Sequence, residues 1–368
     1  MSLINNSPIA YENLSKLNEG FIPSFQDKLQ DFYKKGWYIL GENVKQFETA
    51  FALYNKSNHC IGLANGLDAL ILGLRVFDFT PGSEVIVPSN TYIATILSIV
   101  QCGLKPVLVE PQLDTYNIDA KLIEHKITKK TVAILPVHLY GKCCDMSSIM
   151  QLAEAHNLKV IEDCAQSHGA SCNNTLSGTW GDIGAFSFYP TKNLGALGDA
   201  GAILTKDEEI SKKLKALRNY GSEKKYYNQY IGINSRLDEI QAIFLNIKLQ
   251  SLDTITEHKR MLAKIYMDNL DKSKFILPKV EKDYFDVYHI FNVRSKHRDE
   301  LKTYLAENNI ATEIHYPLAP NRQEAYKHLW NEAFPISEEI HATTLSLPIS
   351  FATTKEEVYR VIETINKF

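Results

Sequence analysis

Short apolar runs rich in valine and isoleucine recur along the chain from residue 84, each ending in polar or glycine-bearing sequence: 84–88, 105–110, 131–139, 159–163, 184–188 and 201–205. Runs of this length and composition predict buried β-strands. Between them the period changes. In 145–157, Met146, Ile149, Met150 and Ala153 fall at i, i+3, i+4 and i+7 behind Asp145, which predicts an amphipathic helix with an aspartate N-cap. Strand, helix, strand in succession predicts an α/β chain with a largely parallel sheet.

After residue 205 the pattern becomes charged and helical, over 206–220 and over a longer stretch, 236–270, expected to bridge two domains. From about Phe275 short strand-like runs (289–294), a helix (298–308) and the segment 312–317 suit a small α+β domain. The expected division is a large domain over 1–250 and a small one over 251–368. There is no internal repeat and no Pro/Ser-rich linker.

Composition narrows the class. The 368 residues are 45% hydrophobic and 23% charged, with 18 Gly and 13 Pro, an ordinary globular mixture that excludes disordered and fibrous chains. Forty Lys+Arg against 43 Asp+Glu give −3. This near-balance provides no field for collecting nucleic acid or an anionic membrane surface, so a small molecule is the expected partner. The stretch 1–20 has Asn, Glu and Lys where a signal peptide is apolar, and no run reaches membrane-spanning length, so a cytoplasmic location is expected. None of the six cysteines forms a C-x-x-C pair, and Cys143 and Cys144, between His138 and Asp145, have no second ligand cluster at partner spacing. Reduced structural thiols and no metal are expected.

Ligands of open α/β sheets gather outside the carboxyl ends of the strands. Asp163 ends the run Val160-Ile161-Glu162 and leads into Cys164-Ala165-Gln166-Ser167-His168-Gly169. Alone it reads as a helix-cap or turn aspartate. A second run, 184–188, continues through Tyr189-Pro190-Thr191 to Lys192, amid aromatic and small residues and ahead of several glycines. Alone it reads as an exposed loop lysine. Held in an apolar wall, however, a lysine has its ammonium form disfavoured, and its free amine can form a Schiff base with an aldehyde. Pyridoxal phosphate needs such a lysine, a carboxylate for its ring nitrogen and an anion site. The third requirement is met by Asn65-Gly66-Leu67-Asp68, which opens an apolar helix whose free N–H groups favour phosphate, although Asn65 with Asp68 equally suits a capping pair. Tyr92 follows a strand end and could stack on a ring.

The ordered set NGLDAL (65–70), VPSNTYIAT (87–95), PVHLYG (136–141), IEDCAQSHGA (161–170), GDIGAFSFYPTKNLGALGDAGA (181–202), GINSRLDEIQA (232–242) and HYP (315–317) resembles the DegT/DnrJ/EryC1/StrS nucleotide-sugar aminotransferases over almost the whole chain. The resemblance implies an aspartate-aminotransferase-type fold (fold type I) working as a homodimer with shared active sites. By motif, Lys192 would carry pyridoxal 5'-phosphate, Asp163 would pair with its ring nitrogen, Gln166 would bond the ring hydroxyl and Tyr92 would stack on the ring. Gly66, Leu67, Ser187 and, across the dimer, Asn234 would hold the phosphate. Leu67 stands where the common motif has threonine, leaving a backbone N–H but no hydroxyl.

Tyr189, His315 and Tyr316 resemble positions that approach the sugar. The histidine that often follows HYP is absent, the chain reading Pro317-Leu318-Ala319-Pro320-Asn321. Lys224, Lys225 and Arg236 lie in or near the segment expected at the dimer interface, where a diphosphate could be met or the charges simply solvated. The motif versions imply amination of C3 of a dTDP-linked 3-keto-6-deoxyhexose with glutamate as donor, with a 4-aminotransferase as the alternative and a non-catalytic sugar-binding regulator as a further one. A nicotinamide dehydrogenase would need a G-x-G-x-x-G turn, which is missing. Relatives that deoxygenate at C3 carry histidine in place of the lysine, and Lys192 is present.

Overall fold

The computed structural model describes residues 7–368, so the first six residues of the expected N-terminal segment lie outside the described residues. Seven strands form the main sheet: β1 (His59–Leu63), β2 (Glu84–Pro88), β3 (Lys105–Val109), β4 (Thr131–Ile134), β5 (Lys159–Asp163), β6 (Ile183–Ser187) and β7 (Gly201–Thr205). Their order is β1-β7-β6-β5-β4-β2-β3, and all pairings are parallel except those of β7 with β1 and β6. One antiparallel strand thus joins otherwise parallel neighbours. Helices α1 (Glu42–Tyr54), α2 (Gly66–Arg75), α3 (Ile93–Gln101), α4 (Met146–His156) and α5 (Glu208–Leu217) accompany the sheet, and its strands are almost wholly buried, as a sheet covered on both faces requires. Asp145 caps α4 and Asp207 caps α5 through bonds to the N–H groups of Ser148 and Ile210.

Four expected stretches are corrected. The run 131–139 ends as a strand at Ile134, because Pro136 has no N–H for the ladder. Beyond it the chain still tracks β5, with Asp163 N–H donating to Pro136 O at 2.9 Å and His138 N–H to Asp163 O at 3.1 Å. The stretch 236–270 is two helices, α6 (Glu239–Leu249) and α7 (Leu252–Asn269), with Ser251 N–H donating to Lys248 O in a tightened last turn. Segment 312–317 makes only the single bridge Glu313 to Ser346, while 289–294 narrows to β8 (Phe291–Arg294), paired with β9 (Thr344–Leu347). β1 (HCIGL) was not among the expected strands.

Beyond α7 follow α8 (Arg298–Glu307), α9 (Pro335–Thr343) and α10 (Lys355–Ile365). Leu252 of α7 packs into a core with Phe47, Phe51, Phe186 and Phe188, whereas Leu262, Ala263 and Tyr266 pack with Phe291, Leu305, Leu347 and Val361. This helix therefore links two apolar clusters. No helix among the described residues is long and apolar enough to cross a membrane.

The start of α1 is held by a carboxylate from α6. Glu239 is buried and accepts the N–H groups of Gly41 (2.8 Å), Asn43 (3.0 Å) and Val44 (2.9 Å), with the Asn43 amide at 2.8 Å. These are helix-start donors with no partner inside their own helix. Glu239→Ala is expected to destabilise the fold by about 3 kcal/mol or more, because several buried donors lose their acceptor at once. A lower urea midpoint with an unchanged slope would show it, and an unchanged midpoint would contradict the assignment.

Candidate active site

The carboxyl ends of β1, β2, β5 and β6 face one edge of the sheet and deliver the candidate residues to it. The loop from β6 to β7 returns on itself: Phe188 N–H donates to Ala200 O, Ala196 N–H to Phe188 O and Lys192 N–H to Tyr189 O, each at 2.8 Å. Phe188, Leu194, Ala196 and Ala200 anchor that loop in the core. Lys192 is thereby presented from a rigid turn, half-buried, while Tyr189 beside it is 52% exposed at the mouth.

Asp163 meets Lys192 at this edge. Its Oδ2 accepts the Thr95 hydroxyl at 2.8 Å and its Oδ1 the Ala165 N–H at 3.1 Å. Burial pushes the Asp163 carboxyl up from its ordinary range, against those two bonds and the charge of Lys192. Burial also drives the Lys192 amine down to about 8, and attraction to Asp163 opposes the fall. Each group is the other's charge partner.

Around them lie three histidines. His289 Nε2 is 3.5 Å from Lys192 Nζ. Burial, followed by the charge of Lys192, lowers His168 to about 3, His315 to about 4 and His289 well below its ordinary value, so all three imidazoles are neutral. His315 Nδ1 pairs with Ser346 Oγ at 2.9 Å, and the Tyr140 hydroxyl donates to His315 O. Gln166 is fixed at both ends, Oε1 accepting Tyr140 N–H at 2.7 Å and Nε2 donating to the Tyr316 hydroxyl at 3.0 Å. Tyr316 in turn lies against Tyr92, ring centroids 5.0 Å apart, and burial raises its phenol. Lys192, Asp163, Gln166, Tyr92, His315 and Tyr316 are thus brought into one neighbourhood.

The anion cradle is formed by the start of α2. Asn65 Oδ1 accepts Asp68 N–H at 2.8 Å, so the capping role is real. As the helix's first residues, Gly66 and Leu67 have no intrahelical acceptor for their N–H groups. A Cβ on Gly66 would lie 2.5 Å from Ser187 Cβ, so only glycine lets the helix start seat against the end of β6, where a phosphate would meet both N–H groups and the Ser187 hydroxyl. Ser187 Oγ already accepts Tyr189 N–H at 3.3 Å. These features fit pyridoxal phosphate: an amine, a buried carboxylate and a donor-lined cradle stand along one sheet edge.

Other expected residues stay apart from this group in the single chain. Asn234 is exposed, next to Ser235, whose hydroxyl accepts Ala64 N–H at 3.1 Å. Lys224 and Lys225 lie over the exposed rings of Tyr227 and Tyr226, and Arg236 bonds Asn219 at 3.0 Å. Thr95 and His289 were not foreseen. Thr95 lies within the VPSNTYIAT motif at i+4 from Thr91, whose hydroxyl is 2.7 Å away, which is a readable signal. His289 has none, since it arrives from a distant segment whose backbone packs where a Cβ on Gly141 (φ 99°) would stand, 2.7 Å from His289 N.

Behind Asp163, His138, Glu162 and Cys164 bring potential metal-binding atoms within 4.8 Å of one another. They are already engaged. His138 Nδ1 accepts Cys144 N–H at 3.0 Å, so Nε2 carries the proton and donates to Glu162 at 2.9 Å. Glu162 also accepts the N–H groups of Gly178, Trp180 and Gly181 at 2.8–2.9 Å. The trio is a structural network that seats the strand end.

A lysine amine facing a carboxylate beside a phosphate-suited helix start is a site for amine chemistry on a carbonyl cofactor, the class of an α/β aminotransferase. Its family can be stated directly: the chain belongs to the DegT/DnrJ/EryC1/StrS aminotransferase family, which it matches over residues 22–366. It is 52% identical to the dTDP-3-amino-3,6-dideoxy-alpha-D-galactopyranose transaminase of Aneurinibacillus thermoaerophilus, over 98% of this chain and 99% of that one. It is similar in structure to S. venezuelae DesV in complex with a ketimine intermediate, with TM-score 0.96, 39% identity and 98% of each chain covered. It is also similar to ntda from Bacillus subtilis with bound cofactor PMP, with TM-score 0.91, 30% identity and 98% of this chain and 84% of that chain covered. The α/β aminotransferase fold expected from the sequence is the one observed.

The lowered amine has a pH signature. Below about pH 8 Lys192 is an ammonium and cannot attack an aldehyde, and above it the free amine can. The rate at which added pyridoxal phosphate becomes covalently attached to cofactor-free protein is therefore expected to rise through a midpoint near pH 8. A midpoint near the ordinary 10.5 would refute the buried-amine reading.

Proposed function

We propose that this enzyme, with pyridoxal 5'-phosphate on Lys192, moves an amino group from glutamate to C3 of a dTDP-linked 3-keto-6-deoxyhexose, giving a dTDP-3-amino-3,6-dideoxyhexose. The observation that carries the reading is the Lys192–Asp163 pair at the strand ends, in a chain 52% identical to a relative whose name places nitrogen at C3 of a 6-deoxy sugar nucleotide. The cofactor, when bound, supplies an electrophilic aldehyde and a ring that takes up electrons.

The chain's own groups do the rest. Asp163 lies where it would hold a ring nitrogen protonated, and that positive charge offsets the burial that raises its carboxyl. Lys192 Nζ, its amine lowered to about 8 by burial, accepts a proton from the donor's α-carbon and later returns one to the sugar carbon. A lysine on a four-carbon stem can serve both roles, while the anchored loop fixes where the stem starts. Gly66, Leu67 and Ser187 cradle the phosphate, with Asn234 of a second copy completing it in a homodimer. Tyr92 and Gln166 hold the ring, and Tyr189, His315 and Tyr316 face the sugar. His315, neutral and tethered to Ser346, orients a sugar hydroxyl without adding charge.

On this reading residues up to 250 form the cofactor-binding domain and 251–368 the smaller one. The six cysteines, all free and five of them buried, suit the reducing cytoplasm.

Incubation with glutamate and a panel of dTDP-linked 3-keto and 4-keto sugars tests the assignment. Nitrogen at C3 of the product is expected, and amination of the 4-keto compound alone would replace it by the 4-aminotransferase reading. Lys192→Ala is expected to lower turnover at least about 10³-fold and to abolish covalent attachment of the cofactor. Retention of either would remove Lys192 from the mechanism.

A further inference from the structure

Beneath Lys192 lies a second set of buried charges that the reaction does not use. Lys259 of α7 is 3% exposed and Lys248 of α6 is 1% exposed, an uncommon position for lysine. With Lys192, Asn193, Thr191 and Glu12 they line a cavity of about 10 Å³, room for one water at most. Lys259 Nζ donates to Asn193 Oδ1 at 2.8 Å and to His289 O at 3.1 Å. Asn193 follows Lys192 in the chain, and its amide also donates to Val287 O at 3.0 Å. His289 is the residue whose Nε2 stands 3.5 Å from Lys192 Nζ. One ammonium therefore grips both the loop that carries the reactive amine and the segment that faces it. Lys248 supports the same loop one step further on, through Gly195 O at 3.2 Å and Asn18 Oδ1 at 3.3 Å.

We propose that Lys259 is a positioning residue for the amine of Lys192: its two hydrogen bonds tie the Asn193 side chain to the backbone of His289 and so hold the loop that carries Lys192 against the segment that faces it. The proposal rests on the reading of Lys192 as the cofactor-bearing amine.

Lys192 is faced by Asp163, His168, His289, His315 and Lys259, and Lys259 by Glu12, Lys192, Lys248, His168 and His289. Burial lowers both amines to about 8, with Asp163 opposing the fall at Lys192 and Glu12 opposing it at Lys259. Lys259 is fixed by two acceptors, whereas the contact of Lys192 Nζ with His289 Nε2 is long.

The test uses cofactor-free full-length protein and pyridoxal phosphate as the probe, following covalent attachment against pH. Lys259→Gln, which shortens the side chain and removes the ammonium that bonds both acceptors, is expected to slow attachment roughly tenfold across the pH profile. Lys259→Arg, which keeps charge and donors, is expected to track the wild type. A Lys259→Gln profile superimposed on the wild type overturns the proposal. Should Lys259→Gln not fold, Asn193→Ala, which removes the acceptor of the first bond, takes its place: slower attachment is expected, and a wild-type rate overturns the proposal. Wild-type protein that attaches no cofactor at Lys192 would instead overturn the reading of Lys192 itself.

Discussion

The constraint on which the structure turns is the burial of an amine and a carboxylate together at the edge of a sheet. Either alone would be costly and would shed its charge, and as a pair they remain chemically usable. Meeting that constraint shapes the surroundings. Asp163 must sit at the end of a strand held on both sides, and His138 and Glu162 hold that end from below through N–H groups of the 178–181 turn. Lys192 must come from a loop that cannot drift, so four apolar side chains of that loop are sunk in the core.

The segments beyond residue 250 enter the site through polar contacts of the same kind. Tyr316 is bonded by Gln166, and Asn193 by Lys259. Further away, Glu110, just past β3, accepts the N–H groups of Ile336 and Ser337 at 2.9 and 3.0 Å, a carboxylate at the positive end of α9. Apolar packing at Ile290, Phe334 and Ile340 adds adhesion without direction, whereas each of these bonds fixes a distance. That combination lets side chains distant in sequence reach the same few ångströms reproducibly.

What was legible in the sequence follows from the same physics. Strands buried on both faces read as short apolar runs, so β2 to β7 were visible. β1 was not, because His59 and Gly62 dilute its five residues. Pro136 hid the end of β4 inside a longer apolar run. Residues 236–270 read as one helix because both halves are helical and their buried positions keep helical spacing across the break, from Leu245 and Leu249 to Leu252 and Thr256. Lys192 and Asp163 were found because strand ends locate an edge. Thr95 left a signal in its spacing from Thr91, whereas His289 and Lys259 matter through contacts spanning 30 or more residues that no local pattern encodes. Asn234 was read from motif alone, and a single chain leaves it exposed.

Three neutral histidines beside a reactive lysine look at first like spare bases, and their environment argues otherwise. A buried imidazole that accepted a proton here would add a positive charge to three lysines already sharing two carboxylates, and both burial and the lysines push against it. Near neutral pH the proton inventory at Lys192 is therefore governed by the amines and carboxylates alone. The imidazoles supply polar surface of fixed, zero charge, as His315 does against Ser346. A site arranged in this way changes its charge through one amine at a time, which a single side chain serving first as base and then as acid requires.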